Sequence, residues 1–231
     1  MFKIFLKCER TAMIFDFHTH TFLSDGVNLP IELIRFALEA GYGCIALTDH
    51  ASVSNIEMVI DSVTKDCKLA EKYWDIKAIP GVELTHVPAG SLNELARYAK
   101  DKGAKIVNVH GESIAETVEP GTNLAAVNSK YVDMLAHPGL LTLQEAGLAA
   151  ENDIYIEVTK RSGHSLTNGR VADIGKKAGV NFLINSDAHS HQDLYQEGGQ
   201  KKIGLGAGFT EEETDIILNT NTKNFLKKLG Y

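Results

Sequence analysis

The stretch Asp16-Phe17-His18-Thr19-His20-Thr21-Phe22-Leu23-Ser24-Asp25-Gly26 decides how the whole chain is interpreted. Apolar residues lead into it and alternate with polar ones, so residues 14–18 are predicted to form a short buried strand. Residues two apart on a strand face the same way, so His18 and His20 can point at one ion while Asp25 returns from the following turn. A His-x-His pair alone is weak evidence for a metal site. The evidence becomes stronger because residue types that bind metals also stand at the ends of the later strands.

Seven apolar strands alternate with helical segments along the chain. The predicted strands are 14–18, 44–47, 76–83, 105–109, 132–136, 154–158 and 181–185. Continuous apolar strands separated by helices are typical of a parallel sheet. Polar functional residues follow nearly every strand, which favours an α/β fold closed as a distorted seven-stranded TIM-like (β/α) barrel with its site at the C-terminal rim. A doubly wound open sheet is the alternative, and its site would draw on fewer strands.

The chain organisation is predicted to be simple. A length of 231 residues fits one large α/β domain or two small ones, and no linker divides the sequence. We expect one barrel domain at 13–231, preceded by an N-terminal extension or edge strand at 1–12. The helix at 91–100 opens with Ser91 and Glu94 in capping-box spacing. After a glycine-rich stretch at 204–208, one or two closing helices are expected at 211–218 and 222–229.

Composition excludes several classes of protein. The net charge is −7 with both signs interspersed, so tight binding to duplex nucleic acid is not expected. Cys8, Cys44 and Cys67 are far apart and lack Cys-x-x-Cys spacing, which predicts reduced thiols in a cytoplasmic protein. The first residues are too short and too charged for a secretory segment, and no stretch approaches the length of a membrane span.

Residue types that bind metals or move protons stand at the ends of the predicted strands. They are His18, His20, Asp25, Asp49, His50, Glu83, His110, His137, Asp187 and His189, with the cations Lys160 and Arg161 after the sixth strand. Imidazoles and carboxylates without thiolates suit Zn, Mn or Fe, and they are too many for one ion, so two or three ions are expected. A lone strand-end His or Glu is more often an ordinary hydrogen-bonded residue. For the whole set, that explanation would have to hold independently at six of the seven strands, which favours a metal site instead.

The ordered motifs resemble a known family. His-x-His, Ser-Asp-Gly, Thr-Asp-His, Gly-Val-Glu, Val-His-Gly, Ala-His-Pro-Gly and Ser-Asp-Ala-His together resemble the polymerase and histidinol phosphatase (PHP) family of metal-dependent phosphoesterases, from residue 14 to about 225. Members are distorted seven-stranded barrels with a trinuclear metal centre. The resemblance implies one ion held by His18, His20, Glu83 and Asp187, a second held by Glu83, His110 and His137, and a third held by Asp25, His50 and His189. Some members carry His where Asp25 stands, which exchanges one ligand type for another.

The resemblance also implies a mechanism. A hydroxide between two ions attacks phosphorus in line while the third ion holds phosphate oxygens. Arg161, rather than Lys160, is expected to bind the phosphate. The alternative is that both cations lie in a loop and face solvent. His164 is a candidate to contact phosphate or to protonate the leaving group. Asp49 is expected to orient a ligand histidine, or else to handle the leaving-group proton.

The leading hypothesis is a stand-alone phosphomonoesterase for a small phosphorylated metabolite, similar to histidinol-phosphate phosphatase. The nearest alternative is a phosphodiesterase or exonuclease acting on nucleotides or short oligonucleotides, although the rim loops lack a basic groove and stacking aromatics. Metal-barrel amidohydrolases also open with His-x-His, but they typically bridge their metals through a modified lysine where His110 stands here. A non-catalytic, metal-dependent binding module is the hypothesis outside catalysis, and the complete ligand set argues against it.

Overall fold

The predicted parallel strands are present in a computed structural model, which describes residues 13–231. The predicted extension at 1–12 lies outside the described residues. The strands are β1 (Ile14–Asp16), β2 (Tyr42–Leu47), β3 (His50–Ala51), β4 (Lys77–Leu84), β5 (Ile106–His110), β6 (Met134–Ala136), β7 (Tyr155–Thr159) and β8 (Phe182–Asn185). Seven match the sequence-based expectation within a few residues, and the two-residue β3 is additional.

All strand pairs are parallel, and the sheet nearly closes on itself. The order is β1-β2-β4-β5-β6-β7-β8, with β3 paired to β4. Between β1 and β8, Thr19 and Ala188 form a parallel bridge, and the His20 backbone N–H donates to the Ala188 carbonyl over 2.8 Å. The Phe17 N–H also donates to Asn185 Oδ1 over 2.9 Å. The predicted TIM-like barrel is therefore confirmed, and the open doubly wound sheet is excluded.

Helices alternate with the strands and close the outer layer. They are α1 (Pro30–Glu39), α2 (Ile56–Tyr73), α3 (Leu92–Asp101), α4 (Thr122–Val127), α5 (Leu143–Glu151), α6 (Asn168–Ala178), α7 (Gly199–Gly206), α8 (Glu211–Asp215) and α9 (Thr222–Lys228). Each longer helix buries one apolar stripe, as in α2, where Val59, Ile60 and Val63 face inward. In the part of the chain from residue 13 onward, no helix combines the length and the apolar character that crossing a membrane requires.

One local expectation was wrong. The Ser91 hydroxyl does not cap α3, because Pro88 starts a 3₁₀ turn at Ala89–Ser91 and the hydroxyl donates to the Pro88 carbonyl over 2.7 Å. The glycine-rich stretch at 204–208 overlaps the end of helix α7. A Cβ at Gly204 would lie 2.9 Å from Ile184 Cδ1, so glycine there allows α7 to pack closely against β8. One or two closing helices were expected, and the structure has one continuous run, with a π-helical turn at Ile216–Asn221 between α8 and α9.

The apolar core has two parts. The larger part lies between the sheet and the helices. The smaller part fills the barrel interior below the site and comprises Phe17, Cys44, Ala46, Ile79, Ile106, Met134, Tyr155, Leu183 and Phe225. Phe225 of α9 plugs the lower end of the barrel, with its ring centroid 4.9 Å from that of Phe17 and 4.6 Å from that of Tyr155. Burying each large apolar side chain contributes about 1.5–3 kcal/mol to the stability of the fold. Because these side chains fill the lower part of the barrel, the polar site lies at the upper rim.

Candidate metal centre and active site

The carboxyl ends of the strands bring the predicted ligand residues together. His18 and His20 follow β1, His50 opens β3, Glu83 lies in β4, His110 ends β5, His137 follows β6, and Asp187 and His189 follow β8. Four groups have one donor atom per residue within 4.8 Å of the others: His20, Asp25, His50 and His189; His110, His137 and His164; His18, Glu83 and His137; and His18, His20 and Asp187. Thus all nine residues expected to bind metal meet in one cluster, and His164 joins them.

Glu83 lies at the centre of this cluster and is fully buried. Its Oε1 is 3.2 Å from His18 Nε2 and 3.5 Å from His137 Nε2. Its Oε2 is 2.7 Å from His50 Nδ1 and 3.9 Å from His20 Nε2. One carboxylate therefore spans donors from both sides of the cluster, which is the position that a bridging ligand needs.

Asp187 and Asp25 occupy the remaining side. Asp187 Oδ1 is 3.1 Å from His20 Nε2, and its Oδ2 is 3.6 Å from His137 Nε2. Asp25 is half-exposed, with Oδ2 3.2 Å from His189 Nε2 and Oδ1 3.5 Å from His50 Nε2. Asp25, His50 and His189 thus form an outer, more accessible group, whereas Asp187 belongs to the buried centre.

The cluster is chemically suited to hold metal ions. His20 Nδ1, Glu83 Oε1, His137 Nδ1 and Asp187 Oδ1 are buried and lack a partner in good hydrogen-bond geometry, although Glu83 Oε1 and Asp187 Oδ1 lie close to histidine nitrogens. A buried polar atom without a partner is costly, and charges out of water need a counter-charge or a metal. The imidazole Nε2 atoms of His18 and His20 also lie only 3.0 Å apart. Divalent cations would give these orphaned donors partners, and the imidazole and carboxylate set fits Zn, Mn or Fe.

Proton affinities in the cluster reflect the same crowding of charge. Burial lowers the pKa of His20 to about 3, helped by the neighbouring His50. Burial also disfavours the charged form of His50, but hydrogen bonds to Asp25 and Glu83 outweigh it and raise the His50 pKa to about 10. For Glu83, burial is outweighed by the charge of His18 and by hydrogen bonds from surrounding histidines, which hold its pKa well below the ordinary value. The carboxylates thus stay ionised and attract cations, and metal ions can take the place of protons.

A buried layer of polar residues beneath the cluster holds the ligands in place. His18 Nδ1 donates to Glu157 Oε1 over 2.8 Å, and Asn185 Nδ2 donates to the same oxygen over 3.0 Å. The backbone N–H of His137 donates to Glu157 Oε2 over 3.1 Å. Because a carboxylate accepts the proton on His18 Nδ1, the lone pair of Nε2 faces the cluster.

The sequence analysis missed Glu157. It assigned no acid with a role at the site to the sixth predicted strand, which is β7 in the structure. The available signal was a lone acid inside an apolar strand, with Tyr155 of the inner core two residues before it. That spacing places Glu157 inside the barrel. Its partners could not be read from the sequence, because they depend on which strands lie near β7 once the barrel has closed.

Asp49 supports the loop that carries ligand residues. Its oxygens accept from the Thr21 backbone N–H over 2.7 Å, the Thr21 hydroxyl over 2.8 Å, and the Ser24 hydroxyl over 2.8 Å. Burial raises the pKa of Asp49. The carboxylate therefore acts on the site by fixing the turn between His20 and Asp25, which differs from the expected direct contact with a ligand histidine.

The two cations after β7 take different positions. The Lys160 ammonium donates to the Asp193 carbonyl and lies 5.4 Å from the centre of the Tyr195 ring. Arg161 lines a cavity of about 30 Å³ at the centre of the site. Of the pair, Arg161 is therefore placed to reach a ligand at the cluster, and Lys160 is engaged with the loop after β8.

His164 and the segment after β5 form the far wall of the site. His164 is buried, its Nδ1 is hydrogen-bonded to the Ser113 hydroxyl, and its ring stacks on His137 with centroids 4.2 Å apart. Burial lowers the pKa of His164. Glu116 of the same segment was also missed from the sequence, because it is one of several acids in an irregular stretch. Its Oε2 is 3.3 Å from His110 Nε2, and its Oε1 is 3.5 Å from His164 Nε2.

Backbone strain is concentrated at the cluster. His137 and Asp187 adopt positive φ values of 28° and 53°, and His86 at the rim adopts 51°. Such conformations cost about 1–3 kcal/mol for residues other than glycine, and they persist where surrounding contacts enforce them. Gly139 has φ 64°, and a Cβ there would lie 1.9 Å from the Glu112 carbonyl oxygen. The loops after β5 and β6 are therefore packed too closely for a side chain at this position.

Comparisons with known proteins agree on the family. The model of the PHP domain matches residues 16–222. An uncharacterised protein of Methanocaldococcus jannaschii is 47% identical over 94% of this chain and 100% of that protein. The DNA polymerase/3′-5′ exonuclease PolX of Bacillus subtilis is 26% identical over 92% of this chain but only 41% of its own length. A probable phosphatase of Clostridium novyi is 25% identical over 94% of each chain.

Solved structures show the same fold. A histidinol phosphate phosphatase from Lactococcus lactis, in complex with Zn, L-histidinol and phosphate, aligns with a TM-score of 0.58 at 14% identity. The alignment covers 96% of this chain and 95% of that one.

Proposed function

The chain belongs to the PHP domain family and is a metal-dependent hydrolase of phosphoric esters, and on this premise we propose that its substrate is a small phosphomonoester. The activity would resemble that of a histidinol-phosphate phosphatase. We further propose a cytoplasmic location, which Cys44 and Cys67 support because both are free thiols.

The proposal assigns two to three divalent ions, Zn, Mn or Fe, to the cluster. His18, His20, Glu83 and Asp187 would hold one ion, and Glu83 would bridge to a second with His110 and His137. Asp25, His50 and His189 would hold the third. The distances around Glu83 and the orphaned buried donor atoms support this assignment. When bound, such ions lower the pKa of water for attack on phosphorus and neutralise phosphate charge.

The protein side chains bind and orient the ester. Arg161 would bind phosphate oxygens through its planar guanidinium group, which suits such oxygens geometrically. His164 would present Nε2 to the same group, because its Nδ1 is occupied by Ser113. Glu157 and Asp49 would keep the ligands in place without touching the substrate. Lys160 contributes through the position of the loop after β8.

One observation carries the choice of a phosphomonoester. The small central cavity with Arg161 adjoins an open cavity of about 410 Å³ through Asp25, His50 and Glu116, which line both. Among residues 13–231, no lysine or arginine lines the larger cavity. A compact pocket of this kind accommodates one small alcohol, whereas a polynucleotide strand needs a basic groove and stacking platforms.

The test is phosphate release by metal-loaded protein from phosphomonoesters, including histidinol phosphate, nucleoside monophosphates and an aryl phosphate. We expect hydrolysis that His110→Ala abolishes and that the control His191→Ala retains, because His191 stacks on Phe36 outside the cluster. No release from any monoester would contradict the proposal.

A phosphodiesterase or exonuclease activity is the second candidate, and the match of 92% of this chain to PolX favours it. Including a dinucleotide and a short single strand in the same panel separates the two. Turnover of these diesters faster than of every monoester would replace the monoesterase assignment. Tight metal binding without hydrolysis of any ester would indicate a non-catalytic binding module.

A further inference from the structure

The 410 Å³ cavity beside the cluster is positioned to receive the alcohol half of the substrate. It is lined by Asp25, His50, Ala51, Ser52, Asn55, Thr85, His86 and Glu116. Asp25, His50 and Glu116 also line the central cavity that contains Arg161. An ester whose phosphate lies beside Arg161 therefore extends its alcohol into this larger cavity.

The wall of this cavity carries neutral polar groups together with negative charge. Hydroxyl, amide and imidazole groups come from Ser52, Thr85, Asn55 and His86. In the part of the chain that the structure describes, no lysine or arginine accompanies them. Two carboxylates, those of Asp25 and Glu116, provide its negative charge. Asp25 lies between His50 and His189 as a proposed ligand, so bound ions would neutralise it. Glu116 is then the charge that an entering alcohol meets.

The position of Glu116 is at the junction of the two cavities. Its Oε2 lies 3.3 Å from His110 Nε2 and 3.5 Å from His86 Nε2. His86 holds its imidazole at the rim through a backbone with φ 51°, and its ring centroid lies 5.2 Å from that of His110. The Glu116 side chain is 45% exposed, so solvent and ligand can reach it. A group attached next to the ester oxygen would therefore lie near this carboxylate.

We infer that Glu116 sets the selectivity of the site for alcohols that carry hydroxyl or ammonium groups and against alcohols that carry a second phosphate or carboxylate. This inference rests on the proposed phosphomonoesterase function. A fixed carboxylate near the entering group repels a like charge and attracts an ammonium group. Nucleoside bisphosphates and strands with a neighbouring phosphate would accordingly be poor substrates.

The test uses two aryl phosphates of similar size and opposite charge, 4-(aminomethyl)phenyl phosphate and 4-carboxyphenyl phosphate, with phenyl phosphate as reference. For the native protein we expect kcat/KM to favour the aminomethyl ester by about tenfold or more, as a like charge at close range implies. Glu116→Gln should bring this ratio close to one. The matched control is Glu119→Gln, which removes the same charge from the same segment, where the side chain accepts from the Ala89 N–H. That variant should keep the native ratio.

The outcomes separate this inference from the proposed function. A native preference for the carboxylated ester, an unchanged ratio in Glu116→Gln, or cleavage of phenyl phosphate alone would overturn the selectivity role while leaving the monoesterase intact. Metal content of Glu116→Gln is measured alongside, because loss of ions with an equal fall in all rates would make Glu116 a ligand and also overturn the inference. Failure of the native metal-loaded protein to cleave any of the three esters would remove the proposed function itself.

Discussion

Replacing Glu157 with glutamine tests how the buried polar layer controls the metal centre. The substitution keeps the shape of the side chain and turns one carboxylate oxygen into an NH₂ group. In the native protein Oε1 accepts from His18 Nδ1 over 2.8 Å and from Asn185 Nδ2 over 3.0 Å, while Oε2 accepts from the His137 N–H over 3.1 Å. All three partners are donors, so the new NH₂ group must face at least one of them.

The magnitude follows from that mismatch. With the NH₂ group toward His137 one buried donor loses its acceptor, and with it toward His18 two do. One unpaired buried donor costs about 1–3 kcal/mol of unfolding free energy. His18 also loses the carboxylate that fixes its ring, and losing such a partner typically weakens metal affinity about 10–100-fold. We therefore expect Glu157→Gln to fold, to unfold at lower urea concentration, and to bind Zn or Mn about 10–100-fold more weakly.

The assay is competition between the protein and a chelator of known affinity, with urea unfolding measured on the same samples. The control Glu151→Gln removes a carboxylate at the exposed end of α5 and should leave both quantities at native values. Native metal affinity in folded Glu157→Gln would refute the claim that Glu157 orients the His18 and His137 ligands.

Three further predictions concern the scaffold. Gly139→Ala should lower both stability and metal content, because the new Cβ would lie 1.9 Å from the Glu112 carbonyl oxygen. The control is Gly147→Ala, where the new Cβ points into open space on α5. This variant should raise the free energy of unfolding in urea by up to about 1 kcal/mol. Phe225→Ala should cost about 3–5 kcal/mol of unfolding free energy, since it empties the lower end of the barrel, and a cost below about 1 kcal/mol would mean that α9 is not needed for closure. Burial raises the pKa of the Cys67 thiol, so the unfolded chain loses this proton first and stability should fall above about pH 8.5. Cys67→Ala should flatten that fall in Tm, and an identical pH profile would show that another group causes it.

The strands and most ligand candidates could be predicted because each is encoded locally. An apolar run followed by His, Asp or Glu identifies a strand end, and parallel strands place all such ends on one rim. His18, His20, Glu83, His110 and Asp187 were all found from this rule. Helix α6 ends at Ala178, and Gly179 after it adopts the left-handed conformation that glycine favours, so this helix end is also encoded locally.

The residues that were missed act through contacts between distant parts of the chain. Glu157 matters because barrel closure places β8 between β7 and β1, which brings Glu157 within reach of His18. No local sequence pattern reports that arrangement. Glu116 stands in an irregular segment, where only the packing of loops decides which acid faces the cluster. Asp49 and Lys160 were identified as polar residues at strand ends, but their hydrogen bonds direct them to neighbouring loops.

The central claim is that the convergent donors form a multinuclear metal centre around Glu83. The most direct measurement is the metal content per chain of purified, reloaded protein by elemental mass spectrometry, compared between the native chain and Glu83→Gln. The account predicts about two to three divalent ions per native chain and the loss of at least one in the variant, because Glu83 would contact two of them. Fewer than two ions in the native chain after reloading, or equal content in Glu83→Gln, would contradict it.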